Sequence, residues 1–389
     1  MSKLCITLPP YAPDFSGAAS ALFDMGGIVV IHDASGCTGS YTGYDEPRWY
    51  ANNSAVYCSG LRHMDAVLGN DEKFIKRIEE AAKSLHPRFI AILGSPVPMV
   101  IGTDFTGFAN DVEYRTGIPA IGLATRGLAY YGKGIVDAMI AMLKKFAKQK
   151  QETIPGTINL LGITPLDFHT NGNSEDFRAL FERNGIHVLA SDCMGLQVED
   201  LQRSVAAQLN VAVSQAGVEL AKYMQKKYGI PYVAVTPLGD GSDALETVKA
   251  ALNGAAVNTA PAPCAKPQIL IVGEQVISNS IREYLQKNRC MENIVVAGLF
   301  DMSQELMQPQ DIDIKHELQL RKLLNSGEYQ AVVGDPMLKQ LITAEHIQKL
   351  NFYELPHVAL SSKVHWDQHK QYVSTAMESW LNEINIKEK

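Results

Sequence analysis

Several signatures that would assign a chemistry at once are missing from this 389-residue sequence. There is no G-x-x-x-x-G-K-[ST] loop to cradle phosphates, so the chain is not expected to hydrolyse ATP itself, and no G-x-G-x-x-G turn, which argues against an ordinary dinucleotide site. The six cysteines (Cys5, Cys37, Cys58, Cys193, Cys264 and Cys290) contain no C-x-x-C pair and no zinc-like spacing. No apolar run nears the ~20 residues of a membrane span. Nor does a basic stretch followed by an apolar run open the sequence. The expectation is a cytoplasmic chain with reduced thiols and no membrane partner. Basic charge is also scarce: 35 Lys and Arg against 42 Asp and Glu, a net charge of −7, where a nucleic-acid footprint should be basic.

What is present is an ordinary globular balance, 46% apolar and 20% charged, in a chain long enough for two to four domains. Short apolar runs alternate with amphipathic stretches, the grammar of parallel α/β sheets. The pattern divides into three Rossmann-like units over residues 1–150, 155–254 and 266–389, joined by a polar linker at 148–156 and an Ala/Pro/Gly-rich one at 253–266. In the first unit, residues 27–32, 89–93 and 118–123 read as buried strands. Residues 71–85 read as a helix with Phe74, Ile75, Ile78, Ala82 and Leu85 on one face. In the second, 158–162, 186–189, 209–214 and 230–235 read as strands. Ser174 suggests a helix N-cap, and Gly229 closes the helix 215–228. In the third, strands are expected at 268–273, 294–298, 331–334 and 357–360, with a last helix over 372–384.

Ligands of open α/β sheets bind beyond the carboxyl ends of the strands. The segment His32-Asp33-Ala34-Ser35-Gly36-Cys37 lies there, as do Gly94-Ser95-Pro96, 237–240 and 334–336. Cys37, in a Gly-Cys-Thr-Gly context, reads either as an iron–sulfur ligand on an open loop or as a small buried filler. Cys58 follows a strand-like stretch and is open to the same two readings. Cys5, Cys193 and Cys290 look structural. His32 and Asp33 suit acid–base work or a capped strand end. His357, His365 and His369 form a loose metal-like series or a solvated face. Arg126 and Lys133 could meet an anion or simply face water.

The order of segments resembles the component 1 family of nitrogenase and nitrogenase-like reductases. Residues 15–22 are similar to its opening small-residue helix. Residues 30–37 resemble its strand–His-Gly-Pro-x-Gly-Cys loop, and 59–70 its acidic D-x-V-F-G-G segment. Residues 94–104 are similar to the loop where it has Cys and then Ile-Gly-Asp-Asp. Residues 227–232 are similar to its K-Y-G-I-P turn, and 273–282 to the start of its third unit. The resemblance covers nearly the whole chain. It implies three Rossmann-like domains and pairing with a homologous component 1 subunit, as a homo- or heterodimer or tetramer. It further implies a 4Fe-4S or larger iron–sulfur cluster shared across the subunit interface, and electrons from an iron-protein ATPase reductase.

The same resemblance maps the site onto this sequence. Cys37 matches the second of three cluster cysteines. The first falls near Pro13 or Asp14 and the third at Ser95, so the three-thiolate set is incomplete and two positions carry oxygen. Cys58 matches no usual ligand position of the family, but two paired copies would bring two Cys37 and two Cys58 together as four ligands. The expected metal ligands are Cys37, Cys58 and Asp14, with His32, Gly36 and Ser95 as the expected cofactor-binding residues. The cofactor-binding cysteine of nitrogenase has no match near Cys264, and its histidine falls near Ser361, beside His357. Nitrogen fixation is therefore not expected. The expected role is a reductase subunit. The alternatives are a scaffold or accessory subunit for metallocofactor assembly, or a metal-free ligand-binding module on the same fold.

Overall fold

The computed structural model describes residues 5–50, 54–255 and 268–386. It is an α/β protein of three parallel sheets. The first contains β1 (Ile28–Ile31), β2 (Ala55–Cys58), β3 (Ile90–Leu93) and β4 (Ala120–Leu123), in the order β2-β1-β3-β4. The second contains β5 (Ile154–Leu161), β6 (His187–Ser191), β7 (Ala207–Ala212) and β8 (Tyr232–Ala234), in the order β6-β5-β7-β8. The third contains β9 (Ile269–Gly273), β10 (Ile294–Gly298), β11 (Ile312–Asp313), β12 (Ala331–Gly334) and β13 (Asn351–Glu354), in the order β11-β10-β9-β12-β13. In each sheet the strand order reverses once. In the first, the reversal lies between β1 and β3, the strands that end at His32 and Gly94.

These elements form where the residues dictate. The central strands β1 and β3 carry unbroken apolar runs and are buried on both faces, as parallel strands covered by helices must be. The helix Asp71–Leu85 buries Phe74, Ile75, Ile78 and Ala82, while Leu85, on the same expected face, is exposed. The helix Asp14–Leu22 is buried along its whole length. It lies against the helix Tyr131–Phe146, and only glycine fits at the crossing. A Cβ on Gly134 would stand 1.7 Å from the Asp14 carbonyl oxygen, and one on Gly17 would stand 2.0 Å from that of Tyr131. The helix Tyr131–Phe146 also packs on the helix Gln215–Tyr228 of the second unit, where the Tyr228 hydroxyl donates to the Ala147 carbonyl at 2.7 Å.

Three expectations need correction. Residues 357–360 are not a strand: the last strand is β13, and His357 is the N-cap of a short helix, Val358–Ser361. The run is too short for periodicity to separate strand from helix, and the Asp335 carboxylate fixes the helix start by accepting from the His357 N–H at 2.8 Å. Ser174 is not an N-cap. The helix Asn173–Arg183 begins one residue earlier, after Gly172 at φ +93°, and the Ser174 hydroxyl faces that of Ser191 at 3.2 Å. Cys290 is exposed, at the end of the helix Gln275–Arg289 with φ +53°. The expected linker beyond residue 255, with Cys264, lies outside the described residues. Among the described residues, no helix is long and apolar enough to cross a membrane.

Candidate functional site

The carboxyl edge of the first sheet gathers the loops that carry chemistry. Parallel register sets Ile31 level with Cys58 on one side and Leu93 on the other. The chain therefore leaves three adjacent strands at one height, delivering His32, Ser59 and Gly94-Ser95 together. Asp33, 2% exposed, organises the loop after β1. Its Oδ2 accepts from the N–H groups of Ser35 (2.9 Å) and Thr38 (3.0 Å) and from the Thr38 hydroxyl (3.3 Å). Its Oδ1 accepts from the Ser95 hydroxyl at 3.4 Å, which also lies 2.9 Å from the His32 carbonyl oxygen. Its own carbonyl accepts from Leu61 N–H at 2.8 Å and from the Cys58 thiol at 3.4 Å. Held this way, Ser35 adopts φ +127°, a strained conformation for a residue with a side chain, immediately before the short helix Gly36–Ser40.

Cys37 sits in the first turn of that helix, half-buried, beside Asp33, Ser95 and Cys58. Burial, then the Asp33 carboxylate, then Cys58 push its thiol up to about 11, against a small opposing pull from the Ser95 hydroxyl. Cys58 is half-buried as well, and the Gly60 N–H donates to its sulfur at 3.3 Å. Two thiols and one carboxylate thus share a partly open edge. A bound cation reverses the local electrostatics: it deprotonates ligating thiols outright, and the neighbouring carboxylate that disfavours a bare thiolate then adds to the attraction for metal. The donor set suits half of a thiolate-rich centre. Among the described residues, no three His, Cys, Asp or Glu side chains of this single chain converge well enough to hold a metal.

The remaining expected site residues take varied positions. Gly36 is exposed at the mouth of the loop, with nothing within 4 Å of where a Cβ would sit. His32 is 6% exposed, and its Nδ1 lies 2.9 Å from the Ser59 hydroxyl. Burial drives its pKa down to about 4 against the upward pull of Asp33, so the ring is neutral near pH 7. Asp14 is placed for a different task. It is buried, and its Oδ1 accepts from Phe15 N–H (2.8 Å) and Gly127 N–H (2.7 Å), while its Oδ2 accepts from Arg126 N–H (3.0 Å). Its lone pairs anchor the 126–127 loop, which argues against Asp14 as a ligand. Lys133, a candidate anion contact, is paired with Asp137.

A second constellation, not legible in the sequence, forms where the three units meet. Asp167 Oδ1 accepts from the Tyr131 hydroxyl and lies 3.0 Å from His357 Nε2, so first, second and third units share one carboxylate oxygen. His357 stacks on Phe300 with centroids 4.8 Å apart. Burial, then Asp167, raises the nearby Glu274 to about 8. Alongside, His169 stacks on His369 at 4.8 Å and 12°, edge-on to Trp366. Burial, then the charges of His169, His357 and His365, lowers His369 to about 3. His169 and His369 lie face to face rather than converging on a point, and among the described residues the expected histidine series forms no group that could hold a metal.

Parallel sheets with their ligand loops at strand-order reversals define a multi-unit Rossmann-like protein. The chain belongs to the nitrogenase component 1 type oxidoreductase family, whose sequence pattern matches residues 13–290. It is 27% identical over 245 residues to the nitrogenase iron-molybdenum cofactor biosynthesis protein NifE of Methanosarcina barkeri, covering 58% of this chain and 51% of that one. It is 30% identical over 218 residues to the NifE protein of Clostridium pasteurianum, covering 54% and 46%. One subunit of the light-independent protochlorophyllide reductase of Heliobacterium modesticaldum is 27% identical over 186 residues, covering 46% and 35%. The matches thus span about half or less of the length of these relatives. In solved structures, nitrogenase Cp1 at pH 6.5 has the same fold, with a TM-score of 0.71 at 12% identity over 98% of this chain and 92% of that one.

Proposed function

We propose that this chain is a component-1-type subunit that receives electrons from an ATP-dependent iron protein through an iron–sulfur cluster at a junction with a homologous subunit. The observation that carries this reading is that Asp33 stands beside both thiols at the carboxyl edge of the first sheet, its carbonyl accepting from Cys58 and its carboxylate lying next to Cys37. One chain brings two thiols there, and four-thiolate ligation is the common requirement of such clusters. Two copies, or this chain and a partner, would complete the set. When bound, the cluster would supply one-electron transfer. The residues of this chain then have separate tasks: Cys37 and Cys58 donate sulfur, and Asp33 holds the loop. The Gly60 N–H, which donates to the Cys58 sulfur, fixes where that sulfur points.

The test is anaerobic reconstitution of the full chain, alone and with a co-expressed homologous subunit. Iron, sulfide, visible absorbance and electron paramagnetic resonance are read in wild type, Cys37→Ala and Cys58→Ala. About four irons per pair of subunits, lost in either variant, is the expected outcome. Iron content indifferent to both substitutions would overturn the assignment.

A second reading, an assembly scaffold for a metallocofactor, is favoured by the NifE proteins among the relatives. It predicts that a metallocofactor loaded on the purified chain transfers to an acceptor protein, while no substrate is reduced in the presence of iron protein and ATP.

A further inference from the structure

A cavity of about 460 Å³ opens on the far side of the Cys58–Gly60 turn, between the helices Asp71–Leu85 and Phe105–Thr116. Its size is that of a small-molecule pocket, and it lies beyond the carboxyl ends of β1 and β2. His32, Phe74 and Phe108 form an aromatic floor. The centroids of His32 and Phe74 are 4.6 Å apart, and those of Phe74 and Phe108 are 5.4 Å apart. The buried imidazole spends Nδ1 on Ser59, and Nε2 has no hydrogen-bond partner among the described residues. With the Ser59 hydroxyl proton on the Asp33 carbonyl (3.2 Å), the ring donates through Nδ1, and Nε2 is an acceptor.

The charges at the rim are unequal in availability. Lys73 is taken up by Asp65 at 3.2 Å, and Asp104 caps its helix by accepting from Gly107 N–H at 2.9 Å. Asp71 stands in the first turn of the helix Asp71–Leu85, where the helix dipole favours it. Arg77 touches only the Ser59 carbonyl, at 3.2 Å, and has no carboxylate partner among the described residues. It is the cation left free to bind.

We propose that this cavity is a binding site for a planar organic acid, with its ring over Phe74 and Phe108, its acidic group on Arg77 and a donor group facing His32. The site is read from geometry that holds with or without a cluster, so its test is separate from that of the electron-transfer role. The probe is 6-hydroxy-2-naphthoate, with 6-hydroxy-2-naphthylmethanol as its uncharged counterpart, titrated calorimetrically into the metal-free full chain. One naphthoate per chain is expected. Arg77→Gln should weaken it tenfold or more and leave naphthylmethanol within about twofold, the loss of one charge-assisted contact. Ile101→Trp, at the half-exposed mouth, should abolish both by filling the entrance without removing a floor residue. Cys37→Ala should bind both probes as wild type does. Naphthoate affinity unchanged by Arg77→Gln and Ile101→Trp, in variants that melt normally, would overturn the proposal, as would failure of naphthoate to bind wild type.

Discussion

Replacing Arg48 by Met removes the cation from the most enclosed ion network in the first unit. The guanidinium is 5% exposed. It bonds both oxygens of Glu46 at 2.8 Å, Asp24 at 2.8 Å, and the Ser20 and Cys193 carbonyls at 2.8 and 3.2 Å. Glu46 is fully buried. Without Arg48 its carboxylate keeps only the Ser20 and Tyr41 hydroxyls and one backbone N–H. Breaking a buried pair from one side costs about 3–5 kcal/mol, because the remaining charge is stranded. If all 389 residues melt together, the unfolding entropy is roughly 0.8 kcal/mol per degree, and the melting temperature falls by about 4–6 °C. The assay is differential scanning calorimetry of wild type, Arg48→Met, and Arg48→Met with Glu46→Gln. The double variant strands no fully buried charge (Asp24 is partly exposed and keeps the Gly195 N–H), retains an acceptor for Ser20 and Tyr41, and should recover at least half the loss. A single variant within about 1 °C of wild type, or a double variant no better than the single, would refute the reasoning.

Acid sensitivity should trace in part to His369. Its folded pKa lies near 3 and its ordinary value is 6.5, so the unfolded chain binds a proton that the folded one refuses. Its stabilising share is whole above pH 6.5 and fades as pH falls toward 3. His369→Phe should therefore flatten the decline of melting temperature between about pH 7 and 4.5, and an unchanged slope would count against the stacked-imidazole account. Gly134→Ala forces a Cβ against the Asp14 carbonyl and should cost at least the upper end of the ~1–3 kcal/mol typical of overpacking, whereas Gly39→Ala, with open space, should be neutral by thermal melt. In the metal-free chain, iodoacetamide should label surface Cys290 before Cys37. The Cys37 rate should climb about tenfold per pH unit up to about pH 9, followed by peptide mass spectrometry.

The sequence was most informative where one physical rule acts locally. Apolar runs flanked by glycine marked β1, β3 and β9, since a strand covered on both faces has no other composition. The loop after β1 drew attention through its position, and the structure sets His32, Cys37 and Ser95 within that one edge. Cys58 joins them only through strand register, which spacing along the chain does not encode. Asp14 looked like a spare oxygen donor because its partners, the amides of Arg126 and Gly127, lie 112 and 113 residues away. The Tyr131–Asp167–His357 junction spans separations of 36 and 190 residues and involves residue types common in any sequence. Only the packing of three units makes it visible. The short stretch at 357–360 misled because so short an apolar run fits a strand and a single helical turn equally well.

The helix Tyr131–Phe146 is a party wall. Its glycine crossing locks it to the helix Asp14–Leu22 with no clearance, and its other side is built into the second unit. The first two sheets must therefore travel as one block, and breathing between them is denied. The third sheet is held by the Glu317 carboxylate on the amides of residues 6–8 and by Ala12 N–H on the Ala359 carbonyl, and it shares an apolar core with the second unit, where the Glu274 carboxylate accepts from Gln215 N–H and the Ser280 hydroxyl from Thr236 N–H. Asp167 is thus a keystone: Tyr131 and His357 both rest on one of its oxygens, so the third unit is held to the block at the same point that binds the block together.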